Sequence, residues 1–153
     1  MGLILDGIKF ELNTNTRETA FFVETENGKV TKYGYDISFQ PGDFHGEKVS
    51  PGLIVNDIKI NKKDINKLKN KTFFTFTIIK SLLRENLFIV WEAEPIIRCR
   101  ITVMEIKNDK AHLKGRGRVY TDTSVKPRKK ANFKLDCWLP IITDVKDWEK
   151  FGL

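Results

Sequence analysis

The stretch that decides the fold class is IIRCRITVMEIKNDKAHLKGRGRVYT, residues 96–121. Apolar and polar side chains alternate on both sides of Asn108-Asp109, a dipeptide typical of tight turns. A period of two residues indicates a strand with one buried and one exposed face. The stretch therefore predicts two long antiparallel strands, over 96–107 and 110–121, joined by a hairpin.

The same β signal extends over most of the remaining chain. Runs rich in Val, Ile, Thr, Phe and Tyr recur between turn residues, and Asn27-Gly28 marks another hairpin. Further strands are expected over 3–12, 18–26, 29–39, 53–60, 72–79, 87–94 and 131–139, with a turn or one helical turn over 82–86. The predicted fold class is mainly β: an antiparallel β-sandwich or partly closed barrel with one or two short helices, in a single domain over 1–153.

Two short helices are expected between and after these strands. Asn61 is a candidate N-cap for a helix over 62–69. Thr143-Asp144 marks the start of a C-terminal helix. Its apolar residues Val145, Trp148 and Phe151 recur every three positions, so we expect all three to dock against the sheet.

Composition narrows the class of protein. The chain is 41% hydrophobic and 31% charged, which is typical of a globular domain. No apolar run is long enough for a membrane-spanning helix, and Met1–Asp6 lacks the basic region of a secretion signal. Cys99 and Cys137 both fall on apolar strand positions, which favours buried free thiols. A cytoplasmic location is the default expectation.

The positive charge is concentrated in one part of the chain. The formal net charge is +7, and residues 96–139 carry twelve Lys or Arg against four acids. In strand 110–121, Gly115 and Gly117 fall on the apolar side, where they favour close packing or a large aromatic neighbour. The basic residues of that strand fall on the opposite side.

A β-bulge brings the basic residues of both strands to one face. The apolar phase shifts between Val103 and Met104, and one extra residue there corrects the register of the hairpin. The expected outward set, which forms our candidate partner-binding site, is Arg98, Arg100, Lys114, Arg116, Arg118, Lys134 and Trp138. The alternative is a solvated face whose cations pair with Glu105, Asp136 and other acids. The basic loop 126–130 adds four charges to the same region.

No catalytic, metal or cofactor motif is found in the sequence. The chain has two histidines and neither a G-x-S-x-G nor an H-E-x-x-H pattern. Asp43, His45 and Glu47 alternate but lack a further ligand and suit a polar loop. We therefore expect neither an enzyme nor a cofactor or metal site.

A small domain without catalytic motifs favours a non-catalytic binding module. The first hypothesis is that the basic face binds an acidic protein partner. Immunity proteins, which neutralise toxins, are one class of this size and chemistry. A homodimer is a related variant, since strand 72–79 is apolar on both faces.

Two alternatives remain open. The first is a domain that binds nucleic acid or another polyanion, with Tyr120 and Trp138 as its outward aromatic residues. The second is a small-ligand-binding barrel with a cavity lined by Phe74, Phe76, Phe88 and Phe133.

Overall fold

The computed structural model describes residues 2–76 and 86–153. In these residues the chain is mainly β, which confirms the predicted fold class. The strands are β1 (Gly2–Leu5), β2 (Ile8–Glu11), β3 (Ala20–Glu26), β4 (Lys29–Ser38), β5 (Gly42–Phe44), β6 (Glu47–Val49), β7 (Gly52–Lys62), β8 (Thr72–Phe76), β9 (Asn86–Ile89), β10 (Ala93–Lys107), β11 (Lys110–Asp122) and β12 (Lys129–Ile142). Short 3-10 helices cover Ile65–Leu68 and Val145–Phe151.

Seven strands close into a barrel. They follow the order β11, β10, β9, β7, β4, β3 and β12, and pairing of β11 with β12 completes the ring. Neighbouring strands of the ring are antiparallel except β3 and β12, which are parallel. β1 and β2 extend the sheet from β12, and β8 pairs with β10. The β5–β6 hairpin is separate.

Two of the long strands change partners along their length. β10 pairs with β9 over Ala93–Pro95 and with β8 over Arg98–Thr102. β12 pairs with β1 over Phe133–Asp136 and reaches β3 only at Ile141–Ile142. As a result β8, β10, β11, β12, β1 and β2 form one continuous sheet, hereafter the outer sheet. One of its faces covers the core, and the other faces solvent.

Aromatic rings fill the core beneath the outer sheet. Phe88 and Phe133 are buried and stack with ring centroids 5.4 Å apart, and Phe21 stacks on Tyr33 and Tyr35. Phe74 is 57% exposed on the solvent face, so its predicted place in an interior cavity is wrong. Its strand places it on the face opposite the core.

Gly117 allows the close packing that the sequence indicated. A Cβ atom there would lie 2.4 Å from the backbone oxygen of Arg98 and 2.6 Å from the ring of Phe133. Both distances are far below van der Waals contact, so no larger residue fits without moving β10 or the core. The absence of a side chain at Gly117 therefore lets β10 and β11 approach closely at the centre of the outer sheet.

The N-terminal prediction of one strand over 3–12 is wrong. The chain forms the hairpin β1–β2, and Asp6 and Gly7 occupy its turn with φ angles of 50° and 79°. Asp-Gly is a typical two-residue hairpin turn, because both residues tolerate positive φ. The hairpin at Asn27-Gly28 is confirmed, with φ angles of 52° and 79°.

The first predicted helix is shorter than expected. Strand β7 continues to Lys62, and Asp64, not Asn61, caps the 3-10 helix by accepting a hydrogen bond from the Asn66 backbone. The predicted strand residues 77–79 and turn residues 82–85 lie outside the described residues. The proposed dimer surface on strand 72–79 is therefore only partly described.

The C-terminal helix begins where the sequence indicates. Asp144 caps it, and Asp147 completes a capping box. Trp148 is buried against Ala20, with Phe151 beside it, as predicted. Val145 is 73% exposed, so its predicted docking is wrong. It is the first residue of the helix and lies outside the cluster that Trp148 forms.

Candidate binding face on the outer sheet

The bulge predicted in β10 is confirmed, and it aligns the basic residues of two strands. The register of β10 against β11 shifts between Val103 and Glu105. Beyond the shift, Arg98 lies opposite Arg118 and Arg100 lies opposite Arg116. Directly opposed residues share a face of the sheet. The four arginines therefore project from the same side.

Strand β12 continues the same face. Lys134 lies opposite Arg116, Asp136 opposite Lys114, and Trp138 opposite His112. The structure thus brings together all seven residues that the sequence singled out. We define the basic face by its six cations: Arg98, Arg100, Lys114, Arg116, Arg118 and Lys134. Trp138 is half-buried and stacks on His112 at 4.7 Å between ring centroids.

Few acids neutralise this face. Asp136 is the acid closest to it, at 3.9 Å from the Lys114 ammonium and 2.6 Å from His112 Nε2. Among the described residues, no carboxylate lies within 4 Å of the four arginines or of Lys134. Glu105 lies opposite His112 and forms no ion pair with the basic face in that part of the chain. The expected pairing with Glu105 and Asp136 therefore holds for Asp136 alone.

The unpaired cations repel one another across the strands. Residues directly opposite in an antiparallel pair have Cβ atoms about 4.5–5.5 Å apart, and like charges there are destabilising. Arg116 faces a cation on each side, Arg100 and Lys134. An anion bound on this face would relieve that repulsion, so the folded protein is electrostatically prepared for one.

An open groove of about 750 Å³ crosses the basic face. It runs from Phe74 on β8 to Ile4 on β1, and Arg98, Arg100, Arg116 and Lys134 line it between these ends. Both end residues are exposed apolar side chains. The Arg100 guanidinium carbon lies 5.4 Å from the centre of the Phe74 ring. The groove therefore combines cationic walls with apolar ends.

The basic loop before β12 joins one end of the face. Tyr120 lies opposite Lys130, two residues along β11 from Arg118. The Tyr120 ring has Arg128 and Lys130 each 5.8 Å from its centre. The cations of this loop thus continue the line of charge on β11.

Three residues of this site were missed from the sequence. Ile4 and Lys9 lie opposite each other on β1 and β2, and Ile4 also lies opposite Lys134. The Asp6-Gly7 turn was the available signal, because it implies a hairpin in place of one strand. Phe74 was predicted to lie in the interior. Phenylalanine occurs on both faces of the strand Thr72–Phe76, so alternation does not indicate which face is buried.

A lysine-rich segment, residues 59–71, reaches the edge of this sheet. Its last lysine, Lys71, accepts a hydrogen bond from the Val103 backbone at 2.9 Å. Asn70 donates to the carbonyl of the same residue at 2.7 Å. The lysine-rich segment 59–71 therefore ends beside the bulge of β10, next to Thr102.

A second charged pocket, hereafter the acidic cleft, has a volume of about 540 Å³. Asp6, Glu47, Glu92, Glu94 and Asp122 supply its carboxylates. His45 is hydrogen-bonded to Asp6 at 2.8 Å, and Thr123 donates to Glu94 at 2.8 Å. Ser124 donates to Asp122 and lowers the pKa of that carboxyl group. In the described residues, no group of three or more His, Cys, Asp or Glu is arranged to bind a metal.

The two cysteines lie inside the barrel, as predicted. Burial raises the pKa of Cys99 to about 12 and also raises that of Cys137. Both thiols are therefore protonated at neutral pH. A thiolate, and not a thiol, is the nucleophile in cysteine chemistry.

Comparison of the chain with protein-family models, curated proteins and solved structures gives no match. Among the described residues, no helix has the length and apolar character needed to cross a membrane. The geometry of the basic face is therefore the basis on which a function can be assigned.

Proposed function

We propose that this protein is a non-catalytic binding module whose basic face binds an acidic protein partner. The observation that carries the proposal is the groove, in which arginines without an acid partner in the described part of the chain lie between two exposed apolar side chains. Arginine and aromatic residues are enriched at the energetic centres of protein interfaces. The mixture found here is typical of such a centre.

The dimensions of the face suit a protein interface. Six strands at a spacing of about 4.8 Å make the outer sheet roughly 24 Å wide. From His112 to Tyr120 the face extends about 27 Å along β11. A typical stable interface buries about 800 Å² on each partner. The outer sheet therefore offers most of the area that one partner needs.

Charge complementarity defines the partner. A cationic face attracts an acidic surface during diffusion and disfavours basic proteins. An acidic toxin would satisfy this requirement, so an immunity-type role is one form of the proposal. The partner's carboxylates would accept hydrogen bonds from guanidinium groups that have no acid within reach among the described residues.

Co-purification with matched charge variants tests this function. The tagged protein, the double variant Arg98→Gln/Arg116→Gln and the control Lys146→Gln are each recovered from native lysate, with and without nuclease. Lys146 is an exposed lysine on the C-terminal helix, away from the outer sheet.

We expect one stoichiometric protein that survives nuclease, is retained by Lys146→Gln and is lost from the double variant. Recovery of the same protein by the double variant would show that another surface binds it. Folding of each variant is checked by its thermal unfolding curve.

Nucleic-acid binding is the second candidate, and the Tyr120 cluster favours it. An aromatic ring with two cations close to it, continuing a line of Lys114, Arg116 and Arg118, is suited to single-stranded nucleic acid. Phe74 adds a third aromatic residue to this face. The affinity for a single-stranded oligonucleotide should then fall about tenfold or more between 50 and 200 mM salt. An affinity insensitive to salt would exclude this candidate.

A further inference from the structure

The groove on the basic face has a direction. It crosses the strands of the outer sheet, because Phe74, Arg100, Arg116, Lys134 and Ile4 form one row of directly opposed residues. These residues come from five neighbouring strands. An occupant that follows the groove therefore lies across the strands, and it contacts side chains in place of a free strand edge.

The length of the row limits the occupant. From β8 to β1 the strand spacing gives about 19 Å. An extended peptide covers this distance in about six steps, that is, with about seven residues. A helix of the same length needs about thirteen residues and is about 10–12 Å in diameter, much wider than one chain. The narrow, cation-lined row therefore fits a short extended segment better.

The order of side chains along the row sets the sequence of the occupant. Three cations, Arg100, Arg116 and Lys134, occupy the middle of the row. Arg98, two residues before Arg100 on β10, lines the same groove. Exposed apolar side chains occupy both ends. Acidic residues would face the middle, and apolar residues would face Phe74 and Ile4.

The Ile4 end excludes further negative charge. Asp6 is one of the residues that line the groove there, and its carboxylate is hydrogen-bonded to His45. A carboxylate of the occupant placed beside Asp6 would meet a like charge. The acidic run of the occupant must therefore end before it reaches β1.

We propose that the groove binds an extended segment of about five consecutive acidic residues with an apolar residue at each end. This inference rests on the proposed function and specifies the part of the acidic partner that enters the face. Successive side chains of an extended segment point to opposite sides, so only every second residue faces the groove. The carboxylates on that side accept hydrogen bonds from guanidinium or ammonium groups, which are strong when both partners are charged. The apolar ends pack on Phe74 and Ile4.

Binding of synthetic peptides by fluorescence anisotropy tests the proposal. The probe peptide has a contiguous run of glutamates between two leucines. A second peptide has the same numbers of glutamates and leucines, but a glycine and a serine separate successive glutamates, so its leucines lie too far apart to reach both ends of the groove. A third has the glutamate run with serines in place of the leucines. A single-stranded oligonucleotide of equal charge is measured in parallel.

We expect the probe peptide to bind about tenfold or more tightly than either of the other peptides. Arg116→Gln should weaken its binding about tenfold, since a charge-assisted contact is lost. Phe74→Ser should weaken the probe peptide several-fold and leave the peptide without leucines unchanged. Lys146→Gln, the matched control, should bind all peptides as the parent protein does.

Distinct outcomes separate this inference from the proposed function. Equal binding of contiguous and separated peptides, weakened equally by Arg116→Gln, would overturn the groove assignment and leave the basic face as an acid-binding surface. Peptide binding that is indifferent to Arg116→Gln would overturn both. Tighter binding of the oligonucleotide, dependent on Arg116 and Phe74, would overturn both in favour of nucleic acid.

Discussion

The molecule has two charged regions, and their charges are satisfied differently. In the acidic cleft, Asp6, Glu94 and Asp122 each have a hydrogen-bond partner within the protein. On the basic face, Arg116 is flanked by two cations, and no acid of the described chain lies within 4 Å of it. Three of the five carboxylates of the acidic cleft are therefore hydrogen-bonded within the protein, whereas the arginines of the basic face have no acid partner among the residues described.

This difference identifies which region is prepared for a partner. A charge that already has a partner loses that contact when it binds another group, and the two energies partly cancel. A group of unpaired cations gains contacts and loses repulsion at once. Binding of an anionic partner is therefore expected at the basic face and not at the acidic cleft.

The largest effect is expected from the glycine beneath the basic face. Gly117→Ala places a methyl group against the Arg98 backbone and the Phe133 ring. Because neither can move freely, we expect the free energy of unfolding to fall by about 2–3 kcal/mol. Urea unfolding measures it, with the exposed Asn132→Ala on the neighbouring strand as the control. A loss similar to that of the control would contradict the close approach of β10 and β11.

Loss of a hydrogen bond in the acidic cleft should lower the free energy of unfolding by a smaller amount. Thr123→Val keeps the shape of the side chain but removes the hydrogen bond to Glu94. We expect a loss of about 1 kcal/mol, since the bond is partly buried and its acceptor is charged. Thr14→Val, at an exposed position, should change the unfolding free energy little. Equal values for the two variants would show that the Glu94 contact is not stabilising.

A substitution on the basic face should raise the free energy of unfolding and not lower it. Arg116→Gln removes repulsion with Arg100 and Lys134, so we expect stabilisation by about 0.5 kcal/mol at low salt. At about 1 M salt the Debye length is about 3 Å, and the gain should disappear. Lys146→Gln serves as the control for the change in net charge. Destabilisation by Arg116→Gln at low salt would indicate that its charge is already compensated.

The smallest effect concerns a single carboxyl group of the acidic cleft. Hydrogen bonds from the Ser124 side chain and backbone lower the pKa of Asp122 in the folded state. A lowered pKa stabilises the fold above the unfolded value, near 3.9, and this contribution is lost as pH falls through the folded pKa. Ser124→Ala should move the Asp122 pKa upward in an NMR titration. An unchanged pKa would assign the shift to another cause.

Much of the basic face could be predicted from sequence because strand periodicity is local. The phase shift at Val103–Met104 located the bulge, and the bulge fixed which arginines share a face. Ile4 and Lys9 could not be placed beside Lys134 in this way. Pairing of β1 with β12 joins residues more than 120 positions apart, and no local pattern encodes that contact.

The exposure of two apolar side chains could not be predicted from the sequence either. Phe74 and Val145 are apolar residues at regular spacing, and both are exposed. Periodicity states which residues lie together but not whether another element covers them. The closure of β11 on β12 and the position of the C-terminal helix decide that, and both depend on long-range packing.

The basic face, and not the acidic cleft, is the surface proposed to bind an acidic partner. Amide chemical-shift mapping by NMR, during titration with the leucine-flanked glutamate peptide, tests it most directly. We expect saturable shifts at Arg98, Arg100, Arg116 and Lys134, with Glu94 and Asp122 unchanged. Shifts confined to residues away from the outer sheet, or none at saturating peptide, would contradict it.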